Sequence, residues 1–176
     1  MRLVYVIGPP GVGKTATLDT LVAPYRPSEV AVPFRYRIYP EPGWTVLGPA
    51  RAAFGGTDAL SMSVQPKVVG WLAGSSPPVV LGEGDRLANL GFLRAATDVG
   101  YETFLVVLSA PETVVEERRT RRAAEHDSGT QNASWVAGRR TKVARLAAAW
   151  SPTVEIDASR PVAEVAADLA AVVNGT

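Results

Sequence analysis

Leu3-Val4-Tyr5-Val6-Ile7-Gly8-Pro9-Pro10-Gly11-Val12-Gly13-Lys14-Thr15 is the stretch that decides how the chain reads. An apolar run rich in β-branched residues passes straight into a glycine-rich turn, then into Lys-Thr and a helical pattern. The order is strand, loop, helix, and the loop carries the complete spacing G-x-x-x-x-G-K-T from Gly8 to Thr15. Gly8, Gly11 and Gly13 permit backbone angles that residues with a Cβ avoid, so successive N–H groups can turn inward around a phosphate. A helix opening near Lys14 adds the positive end of its dipole at the same spot. Lys14 brings a full charge, and the Thr15 hydroxyl suits a hard cation.

The stretch resembles the Walker A motif of P-loop NTPases. The resemblance implies a triphosphate held by the backbone of Gly8, Gly11, Val12, Gly13, Lys14, Thr15 and Ala16. Lys14 would serve the outer phosphates and Thr15 a magnesium ion. The cofactors implied are ATP and Mg2+. No Asn/Thr-Lys-x-Asp guanine-reading signature occurs in the chain, which favours ATP over GTP.

Composition sets the frame for that loop. A chain of 176 residues suits one domain, and 47% apolar residues suffice for a real core. Charged residues make up 20%, which argues against wholesale disorder. The net charge of +1 excludes a globally basic nucleic-acid binder, though not a local basic patch. With no cysteine there is no disulfide and no thiolate metal site, and one histidine makes an imidazole site equally improbable. No apolar run reaches transmembrane length, and the one at Leu3 leads directly into the loop instead of a cleavage site. The expected setting is cytoplasmic (the host cytoplasm, if phage-encoded), with no membrane partner.

Along the chain, helices are expected over Thr15–Ala23, Gln65–Gly74, Leu87–Val99, Pro111–His126, Asn132–Trp150 and Val162–Val173. Strands are expected at Leu3–Ile7, Val79–Leu81, Tyr101–Leu108 and Val154–Ile156, with a brief one at Val30–Val32. Phe34-Arg35-Tyr36-Arg37-Ile38-Tyr39 reads either as an edge strand with one basic face or as a substrate-facing segment. Residues 48–66 are rich in Gly, Ala and Ser and read as a loop. Strands alternating with helices give an α/β fold: one parallel sheet of about five strands, covered by helices on both faces. Ligands on such sheets sit at the carboxyl ends of the strands, where Gly8 and Gly82 both fall.

Gly82-Glu83-Gly84-Asp85-Arg86 ends an apolar strand, where P-loop proteins carry their magnesium-side carboxylate. Glu83 is the first candidate for the metal side, through water; the alternative reading is a solvated turn with Asp85 as helix N-cap. The motif resembles that of small P-loop kinases of the nucleoside and nucleotide kinase group. It departs from their usual Asp-Gly-Phe-Pro-Arg and Glu-Arg-Ser patterns.

Eight bases lie between Arg118 and Arg145, namely Arg118, Arg119, Arg121, Arg122, Arg139, Arg140, Lys142 and Arg145, against only Glu125 and Asp127. Two basic helices meeting at the polar break after His126 resemble the mobile lid of nucleotide kinases. That implies a lid over roughly residues 112–145, with Arg118 and Arg122 as candidates for the γ-phosphate. Otherwise the run is a solvated basic face. His126 fits the lid surface better than catalysis.

An acceptor hydroxyl needs a positioning carboxylate, and the candidates are Asp58, Glu41, Glu83 and Asp85. Trp44, beside Gly43, is the tryptophan to consider as a base-stacking platform; the other three suit a core. Gly56-Thr57-Asp58-Ala-Leu-Ser-Met and Trp135-Val-Ala-Gly-Arg139-Arg-Thr-Lys142 are also similar to segments of phage-type P-loop kinases. Some of those phosphorylate the hydroxymethyl group of a modified uracil, 5-hydroxymethyluracil, in DNA.

The expected activity is a magnesium-dependent transfer of the γ-phosphoryl of ATP to a nucleoside, nucleotide or related hydroxyl acceptor. Hydroxymethylated pyrimidine in phage DNA is the alternative acceptor. An ATPase switch is a third reading, weakened by the lack of a long extension to act as effector.

Overall fold

The computed structural model describes residues 1–50, 56–125 and 132–176. In chain order the elements are β1 (Arg2–Ile7), α1 (Lys14–Val22), β2 (Ser28–Val30), β3 (Tyr36–Tyr39) and β4 (Trp44–Leu47). A short 3-10 helix (Gly56–Ala59), α2 (Gln65–Ser75), β5 (Val79–Glu83), α3 (Leu90–Asp98) and β6 (Glu102–Ser109) follow. Then come α4 (Glu112–Glu125), α5 (Ala133–Ala149), β7 (Thr153–Asp157) and α6 (Val162–Asn174). The polar break at residues 126–131, with His126 and Asp127, lies outside the described residues.

The strands form one sheet in the order β2-β3-β4-β5-β1-β6-β7. β1 sits in the middle, parallel to β5 on one side and to β6 on the other. It is covered on both faces, which is why its sequence is a continuous apolar run instead of an alternating one. Successive side chains still divide between the faces. Leu3, Tyr5 and Ile7 join the core under α2, α3 and α5, where Val68, Leu72, Phe92, Leu93 and Leu146 are buried. Val4 and Val6 face the other way, toward Leu18, Leu21 and Val22 of α1, Val115 of α4, and Val165 and Leu169 of α6. Each such aliphatic side chain contributes about 1.5–3 kcal/mol on burial.

The sheet is larger than the expected five strands. β4, β5, β1, β6 and β7 are parallel, and β2 and β3 extend one side in antiparallel fashion. The segment before Pro40 is therefore not the edge; β2 covers it. Trp44–Leu47 is a strand to which the sequence reading assigns no element. All four residues are buried, so no alternation betrays it. Pro40, Pro42 and Gly43 form the hairpin turn before it, closed by the Gly43 N–H donating to the Pro40 carbonyl at 3.2 Å.

This edge also settles the basic-strand question. Arg37 is buried and donates to the Tyr39 hydroxyl at 3.0 Å, while Tyr36 packs on Phe34 and Trp71. Arg35 braces the 3-10 helix by donating to the Ala59 carbonyl at 3.2 Å. These side chains are taken up in contacts within the fold.

Candidate active site

The loops after β1 and β5 leave adjacent strands at their carboxyl ends. Val6 pairs with Glu83 across the sheet, so Glu83 stands level with the entry to the glycine-rich loop. Gly13 caps α1 in the left-handed region (φ 112°), with no side chain on the helix's first N–H groups. The first intrahelical bond is that of the Thr17 N–H to the Gly13 carbonyl at 2.9 Å. The N–H groups before it face the loop's concavity, available to an anion. Gly11 has φ 89°, and a Cβ there would fall 2.5 Å from Cγ of Arg119, whose stem lies over the loop.

Lys14 folds back into the loop, donating to the carbonyls of Gly8 at 2.9 Å and Pro9 at 3.3 Å. Burial pulls its ammonium below the usual lysine value, opposed by the negative charges of Glu83 and Asp58. Thr15 Oγ1 donates to Glu83 Oε1 at 3.0 Å. Glu83 is only 2% exposed. Burial pushes its carboxyl up to about 7, against the opposing pull of Lys14 and the Thr15 bond. A carboxylate so poorly solvated is one that an arriving cation would stabilise.

The oxygen donors here fit magnesium. Thr15 and Glu83 offer hard oxygens side by side, and among the described residues no group of three or more His, Cys, Asp or Glu forms a full cage. One or two protein oxygens completed by water and phosphate is how Mg2+ is usually held.

Asp58 is brought in by tertiary structure. Its Oδ1 accepts from the N–H groups of Asp85 at 2.7 Å and Arg86 at 2.9 Å. Gly84 makes the room, since a Cβ there would lie 2.9 Å from Asp58 Cγ. Thr57 and Tyr5 pin the same turn. Thr57 Oγ1 donates to the Glu83 carbonyl at 2.7 Å and lies 2.7 Å from the Tyr5 hydroxyl, which accepts from the Leu87 N–H at 3.3 Å. This clamp is invisible in one dimension, because Tyr5 reads as another core residue of β1. The charge of Asp58 acts on Lys14, Glu83 and Lys142.

Asp85 is engaged otherwise. Its carboxylate pairs with Arg139 and with Lys142, the latter at 2.8 Å, and both cations come from α5. Lys142 also donates to the Asp85 carbonyl at 3.1 Å. Arg139 lies over the Trp135 ring, 5.1 Å from its centre. Asp85 does not cap α3; Asn89 does, accepting from the Phe92 N–H at 2.9 Å.

On α4, Arg118 Nη1 donates to the carbonyls of Val12 at 3.1 Å and Ala158 at 2.8 Å, so this arginine braces the loop from beneath. Arg122 lies one turn on, and its charge depresses the Lys14 ammonium. Two sequence candidates fall away. Glu41 sits in the β3–β4 turn, and Trp44 pairs with Val79, so both lie at the amino ends of the parallel strands, opposite the loop. Trp44 is also buried, edge-on to Tyr25 with ring centres 5.5 Å apart, which leaves no face for a base.

The solved structures similar to this chain include kinases. The tunicamycin resistance protein of Deinococcus radiodurans superposes with a TM-score of 0.58 at 19% identity, covering 98% of this chain and 95% of that one. A gluconokinase from Sinorhizobium meliloti gives 0.57 at 16% identity, covering 99% and 94%. A sugar kinase from a Janibacter species gives 0.54 at 13% identity, covering 99% and 95%. At such identities the likeness establishes the shared fold. No curated protein sequence matches the chain. Among the described residues no helix is long and apolar enough to cross a membrane. The family model described as P-loop Nucleotide Kinase3 matches residues 1–162, a span that takes in the glycine-rich loop, Asp58, Glu83 and both basic helices. The chain belongs to that family.

Proposed function

We propose that the protein is a magnesium-dependent kinase that transfers the γ-phosphoryl group of ATP to a hydroxyl of a nucleoside, nucleotide or related acceptor. The observation that carries this reading is the convergence of Lys14, Thr15, Glu83 and Asp58 at the carboxyl ends of β1 and β5. The family and the kinases among the similar structures support it.

The loop N–H groups and Lys14 hold the β- and γ-phosphates. Thr15 and, through water, Glu83 would hold Mg2+, which would neutralise charge on the phosphate oxygens. Asp58 orients the acceptor hydroxyl and takes its proton. As the acceptor oxygen bonds to the γ-phosphorus, the bond from that phosphorus to the β–γ bridging oxygen breaks, and ADP leaves. Arg122 lies on the side where negative charge grows. Asp85 joins α5 to the strand end, and Arg118 keeps the loop in shape. Catalysis is then mostly positioning and electrostatics.

A phosphoryl-transfer screen with labelled ATP and magnesium tests this, offering nucleosides, nucleotides, sugars, and DNA with and without hydroxymethylated pyrimidines. Lys14→Ala serves as the blank and should lose at least about a hundredfold in rate. Label confined to modified DNA would move the acceptor to the polymer. Free phosphate with every acceptor unlabelled would leave an ATPase and end the kinase reading.

A further inference from the structure

Beside the proposed phosphoryl-transfer site, a groove of about 510 Å³ runs between the segment entering α3 and one face of α5. Ala88 and Leu90 line one wall; Gly138, Lys142, Arg145 and Leu146 line the other. The α5 residues recur at helical spacing, so they form a single stripe. The volume lies within the range of small-molecule sites.

Three features give the groove a direction. Its inner end is Lys142, which grips Asp85 and feels the charge of Asp58. Its floor is apolar and open: Leu146 belongs to the core beneath, Leu90 packs against it, and on the far side of Lys142 from Arg145 a Cβ on Gly138 would meet no atom within 4 Å. Its outer end is Arg145, which is exposed. Among the described residues Arg145 has neither a hydrogen-bond nor an ion-pair partner, whereas Arg139, Arg140 and Lys142 on the same helix are all paired. Arg145 lies three residues beyond Lys142, about 4.5 Å along the helix axis.

We propose that this groove is the acceptor site and that it selects an anionic acceptor. The acceptor's hydroxyl points toward Asp58, its ring or carbon body rests on the apolar floor, and a phosphate or carboxylate is held by Arg145. A guanidinium with no protein partner at the mouth of an apolar groove matches an oxyanion in charge and in hydrogen-bond geometry. The groove thereby divides the acceptors of the kinase reading, on which this inference rests. It favours a nucleoside monophosphate over the nucleoside, and a sugar acid over the neutral sugar.

The test uses paired acceptors with the full-length protein: thymidine against thymidine monophosphate, and glucose against gluconate. The anionic member of the productive pair should be the better substrate. Arg145→Ala should raise its KM by about tenfold or more, with kcat within about twofold. The KM for ATP and for the neutral member should not change, and Arg145→Lys should recover part of the loss. Gly138→Leu, which fills the groove without touching a charge and favours helix, should raise acceptor KM alone. Preference between monophosphate and gluconate identifies the source of the anion. Equal use of both members of a pair, or equal losses for both in Arg145→Ala, overturns the proposal.

A binding arm separates this from failure of the kinase reading. If no acceptor is phosphorylated, methyl spectra of Leu90 and Leu146 are followed during titration with thymidine monophosphate, gluconate and thymidine. Shifts produced by an anionic ligand, absent with thymidine and abolished in Arg145→Ala, support the groove on their own. Spectra that respond to none of the three ligands, or equally to thymidine, overturn it.

Discussion

Thr15 Oγ1 and Glu83 Oε1 lie 3.0 Å apart although 68 positions separate the two residues in sequence. The hydroxyl belongs to the first turn of α1 and the carboxylate to the last residue of β5. Parallel pairing of β1 with β5 brings them together at one level of the sheet.

That pair has a pH signature. The Glu83 carboxyl is pushed from its ordinary 4.5 to about 7, chiefly by burial. The folded state therefore holds this proton more tightly than the unfolded one. Its contribution to stability is full below pH 4.5 and is lost as pH rises through about 7. In the nucleotide-free protein, urea unfolding across this window should show stability falling by up to a few kcal/mol with rising pH. Glu83→Gln should flatten the trend. A wild-type slope that survives in Glu83→Gln would assign it to other groups.

Arg118 places one nitrogen between the carbonyls of Val12 and Ala158, joining the loop to the chain after β7. Arg118→Ala should cost about 2 kcal/mol in stability, the scale of a lost charged hydrogen bond. Binding of a non-hydrolysable ATP analogue should weaken with it, because the loop loses its support. Calorimetric titration and thermal unfolding on the same sample would check both.

Asp58→Asn keeps an oxygen for the Asp85 and Arg86 N–H groups. The fold should therefore stay within about 1 kcal/mol of wild type. If Asp58 takes the acceptor proton as proposed, removing its charge should lower kcat by about 10²–10⁴-fold, with the KM for ATP little changed. Steady-state kinetics distinguish this from a structural role, in which stability would fall as well.

Asp85→Asn removes the charge that holds both Arg139 and Lys142. The Asp85 side chain is 36% exposed, so each pair contributes only about 0.2–1 kcal/mol and global stability should change little. Local stability should respond more strongly. Hydrogen exchange in α5 should accelerate, while exchange in β1 stays at the wild-type rate.

Much of this molecule is legible in one dimension. The glycine-rich loop, the strand before it, and the acid at the end of β5 are local features. Backbone freedom, apolar runs and breakers lie within a few residues of one another, so the α/β architecture and the end of the sheet that carries the glycine-rich loop follow from reading them. The long helices follow for the same reason. β4 does not, because a four-residue strand buried on both faces between prolines carries no periodic signal.

Tertiary structure decided which charged groups meet. Asp58 and Asp85 look equally eligible in sequence. Two backbone N–H groups hold Asp58 over Gly84 at the site, whereas Asp85 is committed to α5. Arg118 and Arg122 stand one turn apart on the same helix, yet the first reaches under the loop to carbonyl oxygens. Sheet direction sets Glu41 and Trp44 apart from the site, since β4 begins at the end far from the loop. A carboxylate or guanidinium reads the same wherever it stands in a sequence. Its role depends on partners set by strand order and helix docking, and those contacts join residues dozens of positions apart.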